Sequence, residues 1–314
     1  MDVWEGLMFE YNSRVRRVMR VASRVAGYQF SGDLRPRCTV VDTWWRSKDP
    51  NFGDLLTPFI LPRYGIVPVL RAPDDVELAG VGSILGVLPE DFTGVIWGTG
   101  SFGDEATLPM DAKVLALRGR LTWEKMGRPE GVAFGDPGLL MRELVPASEK
   151  KWKLGVAAHI THRDRSLMKR LRAIEGVKDI DVTQSPRHVA RQISACEAVV
   201  TTSLHGLIVA DSYGIPAAWA MLEPVVVGAE FKFLDHESAV VPERDRQTTL
   251  DGTETLDELR DRTALASPDE VSRRIAELEQ SLVVLRKSVG REVRPWSLGA
   301  AHLPDIRRRL QRRR

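Results

Sequence analysis

Residues 197–222, EAVVTTSLHGLIVADSYGIPAAWAML, read as a strand, a helix and a second strand in direct succession. EAVVTTS and IPAAWAML are apolar runs, as expected of strands that a sheet buries on both faces. LHGLIVADSYG between them predicts a helix, with Gly214 at its end and Pro216 shortly after it. Such a strand–helix–strand unit predicts a parallel sheet with helices on its faces.

The same alternation of short strands and helices extends over most of the chain. One set of segments precedes the polar stretch PASEKKWK at 146–153, and a second set follows it. We therefore predict an α/β protein with two Rossmann-like domains, residues 38–145 and 146–290, that face each other across a cleft. A long helix over 268–288, with Pro268 at its start, ends the second domain. Ligands of such sheets bind beyond the carboxyl ends of the strands, so the cleft is the predicted site.

Composition excludes several classes of protein. Of the 314 residues, 43% are hydrophobic and 28% are charged, which excludes a wholly disordered chain. The longest run without a charged residue, 198–210, is shorter than the roughly 20 residues of a membrane span. No secretory signal is recognisable, and the two cysteines form neither a metal motif nor a disulfide framework. These features predict a cytoplasmic protein.

The net charge of +2 conceals an asymmetry between the ends and the body of the chain. Residues 1–37 carry a net charge of +3 and residues 307–314, RRRLQRRR, carry +6, so the body between them carries −7. Residues 3–26 predict a basic amphipathic helix, and 291–314 form an arginine-rich tail. Both ends suit an anionic membrane surface. The alternatives are a helix packed on its own domain and a solvated tail.

Candidate binding residues stand where predicted strands end. Ser203, His205 and Gly206 lie at a helix N-terminus, where free N–H groups and the helix dipole favour an oxyanion. There Ser203 and the Gly206 N–H can contact the anion, and His205 can donate a proton; the alternative is a capping serine with a packed histidine. The remaining candidates, which also follow strands or lie in EFKFLDHES, are Asn51, Gly53, Asp54, Gly100, Arg118, His159, His162, Arg163 and Lys232.

Several of these candidates have a structural alternative. Asp54 can simply cap the helix that follows it. His159 and His162 lack a third ligand at zinc-site spacing, so contact with an anion is favoured over a metal. Arg118 and Lys232 are predicted as its cationic contacts; the alternatives are a surface ion pair for Arg118 and a solvated side chain for Lys232. The sequence Asp136-Pro137-Gly138 predicts a turn between the two halves rather than a catalytic acid.

Six segments together resemble the polysaccharide pyruvyl transferase family over about residues 38–240. In chain order they are NFGDLLTPFIL, ALRGRLTWEKMG, FGDPGLLM, GVAAHITHRD, TTSLHGLIVADSYGIPAAW and EFKFLDHES. The resemblance implies a GT-B-like fold of two Rossmann-like domains. It also implies transfer of the enolpyruvyl group of phosphoenolpyruvate to a sugar, usually as a ketal. The implied acceptor is a cell-envelope polysaccharide or its lipid-linked precursor.

The resemblance also implies roles for individual residues. His205 matches a family histidine near phosphoenolpyruvate, and Arg118 matches an arginine after a first-domain strand. Ser203 stands where some members have arginine, so the contact to the carboxylate is expected from Arg118, Arg163 or Lys232. Asp54 or His159 is the expected base or acceptor contact. Phosphoenolpyruvate is a co-substrate, and neither a cofactor nor a metal is expected.

Two other functions compete with this one. The first is a GT-B-type nucleotide-sugar glycosyltransferase, for which Glu223 is a candidate ribose contact. The second is a non-catalytic protein that binds glycan or nucleic acid. The acidic body and the absence of aromatic residues among the basic ones argue against nucleic acid as a partner.

Overall fold

The computed structural model describes residues 38–47, 51–103, 108–225 and 228–293. The predicted N-terminal helix and the arginines at 307–314 lie outside these ranges. No helix within them is long and apolar enough to cross a membrane.

Two sheets organise the described residues. The first has seven strands in the order β12-β1-β3-β4-β5-β6, and β2 also pairs with β1. Its pairings are parallel except for that of β12 with β1. Its strands are β1 Cys38–Trp44, β2 Ile66–Leu70, β3 Leu78–Ala79, β4 Val95–Thr99, β5 Lys113–Leu117, β6 Ala133–Phe134 and β12 Arg291–Val293.

The second sheet is wholly parallel and has five strands in the order β11-β10-β9-β7-β8. Its strands are β7 Leu154–Ala157, β8 Val177–Asp179, β9 Val199–Thr201, β10 Ala217–Ala220 and β11 Gln247–Thr248. Strands β9 and β10 are adjacent and parallel, with Val199 opposite Ala217. The strand–helix–strand unit predicted for 197–222 is therefore confirmed, as is the α/β class with parallel sheets.

Nine α-helices and four short 3₁₀ helices connect these strands within the described ranges. The α-helices are α1 Leu56–Ile60, α2 Arg120–Lys125, α3 Met141–Leu144, α4 Ser166–Arg172, α5 Pro186–Ser194, α6 Leu204–Ser212, α7 Ala229–Val240, α8 Leu256–Asp261 and α9 Pro268–Ser288. The 3₁₀ helices are Leu61–Tyr64, Pro73–Asp75, Leu85–Val87 and Pro137–Leu140.

The long helix α9 has the predicted bounds but packs against the first sheet. Ser267 caps its N-terminus, and the side chains on its inner face are buried. Trp97 in β4 donates a hydrogen bond to Ser281 at 2.8 Å, and Lys113 in β5 donates to Ser288 at 3.0 Å. The sequence analysis placed this helix in the second domain and residues 291–293 in a tail. Helical periodicity identifies an apolar face but not the sheet that covers it.

Helix α6 lies in the core and joins the two halves. All nine of its residues are buried, and it packs against the 3₁₀ helix Pro137–Leu140. Ser212 at its end donates to the Leu139 carbonyl at 2.8 Å and accepts from the Arg142 N–H at 3.0 Å. This packing fixes the start of α6 next to the segment that follows β6.

Candidate functional site

His205 in the first turn of α6 lies against the loop that precedes α1. Its ring meets the Phe52 ring edge-on, with centroids 6.3 Å apart. A Cβ atom on Gly53 would lie 2.1 Å from His205 Nδ1, so only glycine leaves room for the imidazole there. The backbone N–H of Phe52 donates to the Val182 carbonyl at 2.9 Å, which ties this loop to the second half.

Asp136 lies on another side of the His205 ring. Its Oδ1 atom accepts the Gly138 N–H at 2.8 Å and caps the 3₁₀ helix, as the predicted turn requires. Its Oδ2 atom lies 3.7 Å from His205 Nε2. Both of these atoms are buried and have no hydrogen-bond partner. The sequence analysis treated Asp136 as a turn residue and missed this contact, although its position directly after β6 was a signal.

The Thr202 side chain forms hydrogen bonds with both histidines that follow β7, His159 and His162. The His159 N–H donates to Thr202 Oγ1 at 2.9 Å, and His162 Nδ1 lies 3.0 Å from the same oxygen. His162 Nε2 lies 3.1 Å from the Pro224 carbonyl, which only accepts, so the proton of a neutral His162 ring sits on Nε2. The Thr202 hydroxyl then donates to Nδ1. His162 is thereby held as a neutral support for this loop.

His159 is held in its neutral form at physiological pH. Burial, followed by the charges of Lys232, His162 and His205, lowers its pKa from 6.5 to about 4. Its Nδ1 atom lies 2.8 Å from the Thr161 hydroxyl. The neutral imidazole can accept a proton, so its chemistry suits a base or a polar contact to an acceptor.

Lys232 on α7 places a largely buried cation in the same region, 5.9 Å from the centre of the Phe233 ring. The residue is only 7% exposed; its backbone N–H donates to the Gly228 carbonyl at 3.1 Å, but within the described residues its ammonium has no hydrogen bond or ion pair with a side chain. Burial and the charge of Arg118 lower the pKa of its ammonium from 10.5 to about 8, against the opposing charge of Asp54. A buried cation of this kind is costly unless an anion occupies the site.

Arg118 is engaged by protein groups on several sides. Its guanidinium, wholly buried, donates to Asp235 Oδ2 at 2.8 Å, to the Ser83 hydroxyl at 2.5 Å and to the Ser101 carbonyl at 2.7 Å. Asp235 also accepts from Thr122, so this ion pair holds α7 against the loops of the first sheet. Its predicted contact with a substrate anion stays a prediction, because a carboxylate already balances its charge.

Gly100 leaves the space that the Arg118 guanidinium occupies. A Cβ atom there would lie 2.2 Å from the guanidinium carbon of Arg118. Arg163 is also paired: it donates to Asp181 at 2.6 Å and is partly exposed. Neither arginine is thus an unpaired cation in this structure.

The remaining candidates shape the backbone. Asn51 donates to Asp54 Oδ2 at 3.1 Å and accepts the Gly53 N–H at 3.2 Å. These two hydrogen bonds fix the conformation of the loop that contains all three residues. Ser203 precedes α6, and its side chain does not cap the helix. Gly206 packs closely on β9, where a Cβ atom would lie 2.6 Å from Thr201 Oγ1.

The structure thus brings residues from both halves to one place. The groups concerned, which contact one another or act on one another through charge, are Gly53, Asp54, Asp136, His159, His162, His205 and Lys232. Within the described ranges, no three His, Cys, Asp or Glu side chains are placed to hold a metal ion. The arrangement suits an anionic ligand that meets a buried ammonium and an imidazole.

A model of one protein family matches the segment that carries most of these groups. Residues 105–220 match the model described as polysaccharide pyruvyl transferase. Over this segment, which is less than half of the chain, the protein is similar to the polysaccharide pyruvyl transferase family. The matched segment contains Asp136, His159 and His205, whereas Lys232 and the Gly53 loop lie outside it.

Two curated proteins are similar to parts of this chain. The chain is 28% identical over 186 residues to succinoglycan biosynthesis protein ExoV of Rhizobium meliloti strain 1021, covering 55% of this chain and 57% of that protein. It is 30% identical over 123 residues to uncharacterized protein L143 of Acanthamoeba polyphaga mimivirus, covering 37% and 42%. The chain therefore spans about half the length of the curated relatives it matches.

Among solved structures, a functionally uncharacterized protein from Klebsiella pneumoniae is similar to this chain. The two share 14% identity, with a TM-score of 0.42, over 74% of this chain and 98% of that one.

We expect Gly53→Ala to destabilise the protein by about 1–3 kcal/mol through overpacking against His205. Urea unfolding measures the change. In a His205→Ala background, the same substitution is expected to cost much less, because the space beside residue 53 is then open. An equal cost in both backgrounds would show that the His205 ring does not limit the side chain at position 53.

Proposed function

We propose that the protein is a polysaccharide pyruvyl transferase. It transfers the enolpyruvyl group of phosphoenolpyruvate to a sugar of a cell-envelope polysaccharide or of its lipid-linked precursor, and the product is a pyruvate ketal. The observation that carries the proposal is the buried Lys232 ammonium, which has no salt bridge among the described residues and lies near His159 and the Gly53 loop. The name of ExoV, which refers to succinoglycan biosynthesis, supports a polysaccharide as the acceptor.

Phosphoenolpyruvate has the charges that this site requires. Its phosphate and carboxylate are both anionic, and either group compensates the buried Lys232 ammonium. The N-terminus of α6 offers the Gly206 N–H, the Ser203 hydroxyl and the positive end of a helix dipole to the other group, whereas the Ser203 N–H already donates to Thr201 Oγ1. Arg118 and Arg163 are further candidates if either arginine exchanges its present carboxylate partner for the substrate.

The reaction needs proton transfer at two atoms. A proton adds to the methylene carbon of the enol, and an oxocarbenium-like centre forms at C2. A sugar hydroxyl attacks C2 and loses its proton; the C–O bond to phosphate then breaks, and a second hydroxyl closes the ketal. One hydroxyl proton thus ends on the new methyl group, and the other leaves with inorganic phosphate.

The site offers side chains for these steps. His205 is the proposed acid or phosphate partner, since it lies at the N-terminus of α6. His159, held neutral by its lowered pKa, and Asp54 are the proposed base and acceptor contacts. His162 supports the His159 loop through Thr202. The mechanism assigns no step to a metal or a cofactor.

The direct test compares ligands and products. Melting temperature is measured with phosphoenolpyruvate and with a panel of nucleotide sugars, since a ligand of the native state stabilises it by RT ln(1 + [L]/Kd). A shift with phosphoenolpyruvate alone supports the proposal. Release of inorganic phosphate that depends on an added glycan acceptor then establishes transfer.

The alternative is a GT-B-type nucleotide-sugar glycosyltransferase. A cavity of about 420 Å³ beside the carboxyl ends of β7 and β10 favours it, because Glu223 lines this cavity along with Asp164 and Ser166. A carboxylate at such a place can contact ribose hydroxyls. A melting shift with nucleotide sugars and none with phosphoenolpyruvate selects this function.

The basic ends of the chain fit an enzyme that works on a lipid-linked acceptor. We propose a cytoplasmic location with peripheral contact to the inner membrane leaflet. Each arginine near an anionic surface contributes about 1 kcal/mol. Deletion of residues 307–314 is expected to weaken binding to phosphatidylserine vesicles at low salt, as measured by cosedimentation. Unchanged binding, with the full chain as control, rejects a membrane role for this tail.

A further inference from the structure

Two buried polar atoms that face each other remain unused by the hydrogen bonds of the fold. Asp136 Oδ2 is fully buried and accepts no hydrogen bond, and His205 Nε2, 3.7 Å away, is also buried without a partner. A buried polar group without a partner costs free energy, and such groups are rare in folded proteins. These two belong to different halves of the chain, and the packing of α6 brings them together.

One proton satisfies both atoms. An ionised carboxylate only accepts hydrogen bonds, whereas an imidazole nitrogen that carries hydrogen donates. With the proton on Nε2, His205 donates to Asp136 once the two atoms approach by somewhat less than 1 Å to hydrogen-bond distance. Asp136 is already fixed through Oδ1 by the Gly138 N–H, so its free oxygen has a defined direction.

The same proton determines what the other ring nitrogen offers. His205 Nδ1 points to the Gly53 loop, and it is not among the buried atoms that lack a partner. In the neutral ring, a proton on Nε2 leaves a lone pair on Nδ1; in the charged ring, Nδ1 donates. Because Nε2 faces Asp136, Nδ1 on the side of the Gly53 loop is the ring nitrogen left for a ligand.

We propose that Asp136 is a positioning residue, which holds the proton on His205 Nε2 and directs Nδ1 toward phosphoenolpyruvate. This inference rests on the proposed function and adds a residue to it. The mechanism gains a fixed orientation for its acid or phosphate partner. In Ser–His–Asp enzymes, a carboxylate sets the tautomer of a histidine in the same way, and its loss costs up to about 10⁴-fold in kcat.

Asp136→Asn tests the inference because it replaces Oδ2, a hydrogen-bond acceptor, by an NH₂ group, which is a donor. The asparagine carbonyl keeps the cap on the Gly138 N–H, so the NH₂ group faces His205. It then donates to Nε2 and forces the ring proton onto Nδ1. Nitrogen NMR of ¹⁵N-histidine-labelled protein near pH 8 reads the tautomer directly, and His205→Gln identifies the His205 signals among the six histidines.

We expect hydrogen on Nε2 in the wild-type protein and on Nδ1 in Asp136→Asn. We also expect kcat for pyruvyl transfer to fall by about 10²-fold or more in the variant, with KM for phosphoenolpyruvate changed much less. Asp136→Ser, which keeps a capping oxygen but cannot reach His205, is the second variant. It is expected to show a mixture of tautomers and a similar loss of kcat.

The outcomes separate this inference from the proposed function. Hydrogen on Nδ1 of the wild-type His205, or the same tautomer in the wild type and in both variants, overturns the positioning role. It does so even if the enzyme transfers pyruvyl groups. Conversely, the expected change of tautomer in a protein that transfers no pyruvyl group supports the contact and rejects the function.

Discussion

Replacement of His205 by alanine is expected to lower kcat for pyruvyl transfer by about 10²–10⁴-fold, the usual contribution of a positioned acid or base. The physical reason is that no other group in the described site can replace it. His159 is neutral at physiological pH, and the Lys232 ammonium is assigned to the substrate anion. The measurement is steady-state release of phosphate with saturating acceptor.

A matched variant separates chemistry from folding. His188 on α5 is exposed, and His188→Ala is expected to leave turnover unchanged. Melting temperature and the urea midpoint of His205→Ala show whether the protein still folds. Near-normal turnover in a folded His205→Ala protein would falsify the proposed role of this residue.

The fold could be predicted to a large extent because its signals are local. Apolar runs of four to seven residues, interrupted by glycine and proline, identify β1, β4 and β9 in the sequence. The bounds of α9 follow from its cap and periodicity. Its packing on the first sheet could not be predicted, because the partner of an apolar face is set by tertiary contacts far along the chain.

In the candidate site, too, the local sequence identified residues but not their distant partners. His205, Lys232 and Gly53 were identified because each follows a strand or lies in a family segment. Asp136 was treated as a turn residue, and the turn exists, but its second carboxylate oxygen meets a residue 69 positions later. Arg118 was expected to be available to a substrate, whereas its partner Asp235 lies 117 positions later. A sequence pattern identifies a polar or charged side chain, but it does not identify a partner that lies far along the chain.

Replacement of Lys232 by methionine is expected to stabilise the ligand-free protein while abolishing its response to phosphoenolpyruvate. The native pKa of this ammonium, about 8, lies below its ordinary value of 10.5. The native state therefore binds this proton more weakly than the unfolded state, and the charged form opposes folding. At pH 7 the penalty is about 3 kcal/mol, from roughly 1.4 kcal/mol for each pH unit of the difference.

The sign of the pH dependence follows from the same two values. The penalty is fully present below pH 8, and it disappears as the pH rises toward 10.5, where the unfolded state also loses the proton. Methionine, which is close to lysine in length, removes the charge and fills the space. Urea unfolding should thus show a gain of about 2–3 kcal/mol at pH 7 and a much smaller gain near pH 10.

A control and a ligand complete the test. Lys169 on α4 is exposed, so Lys169→Met is expected to change stability by less than about 0.5 kcal/mol at either pH. Phosphoenolpyruvate at about 100 times its Kd stabilises the wild-type protein by about 2.7 kcal/mol, and this gain should vanish in Lys232→Met. A variant that is less stable than the wild type at pH 7, or that still responds to phosphoenolpyruvate, contradicts the assignment of Lys232 as the anion contact. If Lys232→Met is more stable at pH 7 and no longer responds to phosphoenolpyruvate, the buried ammonium destabilises the ligand-free protein, and the substrate anion compensates its charge.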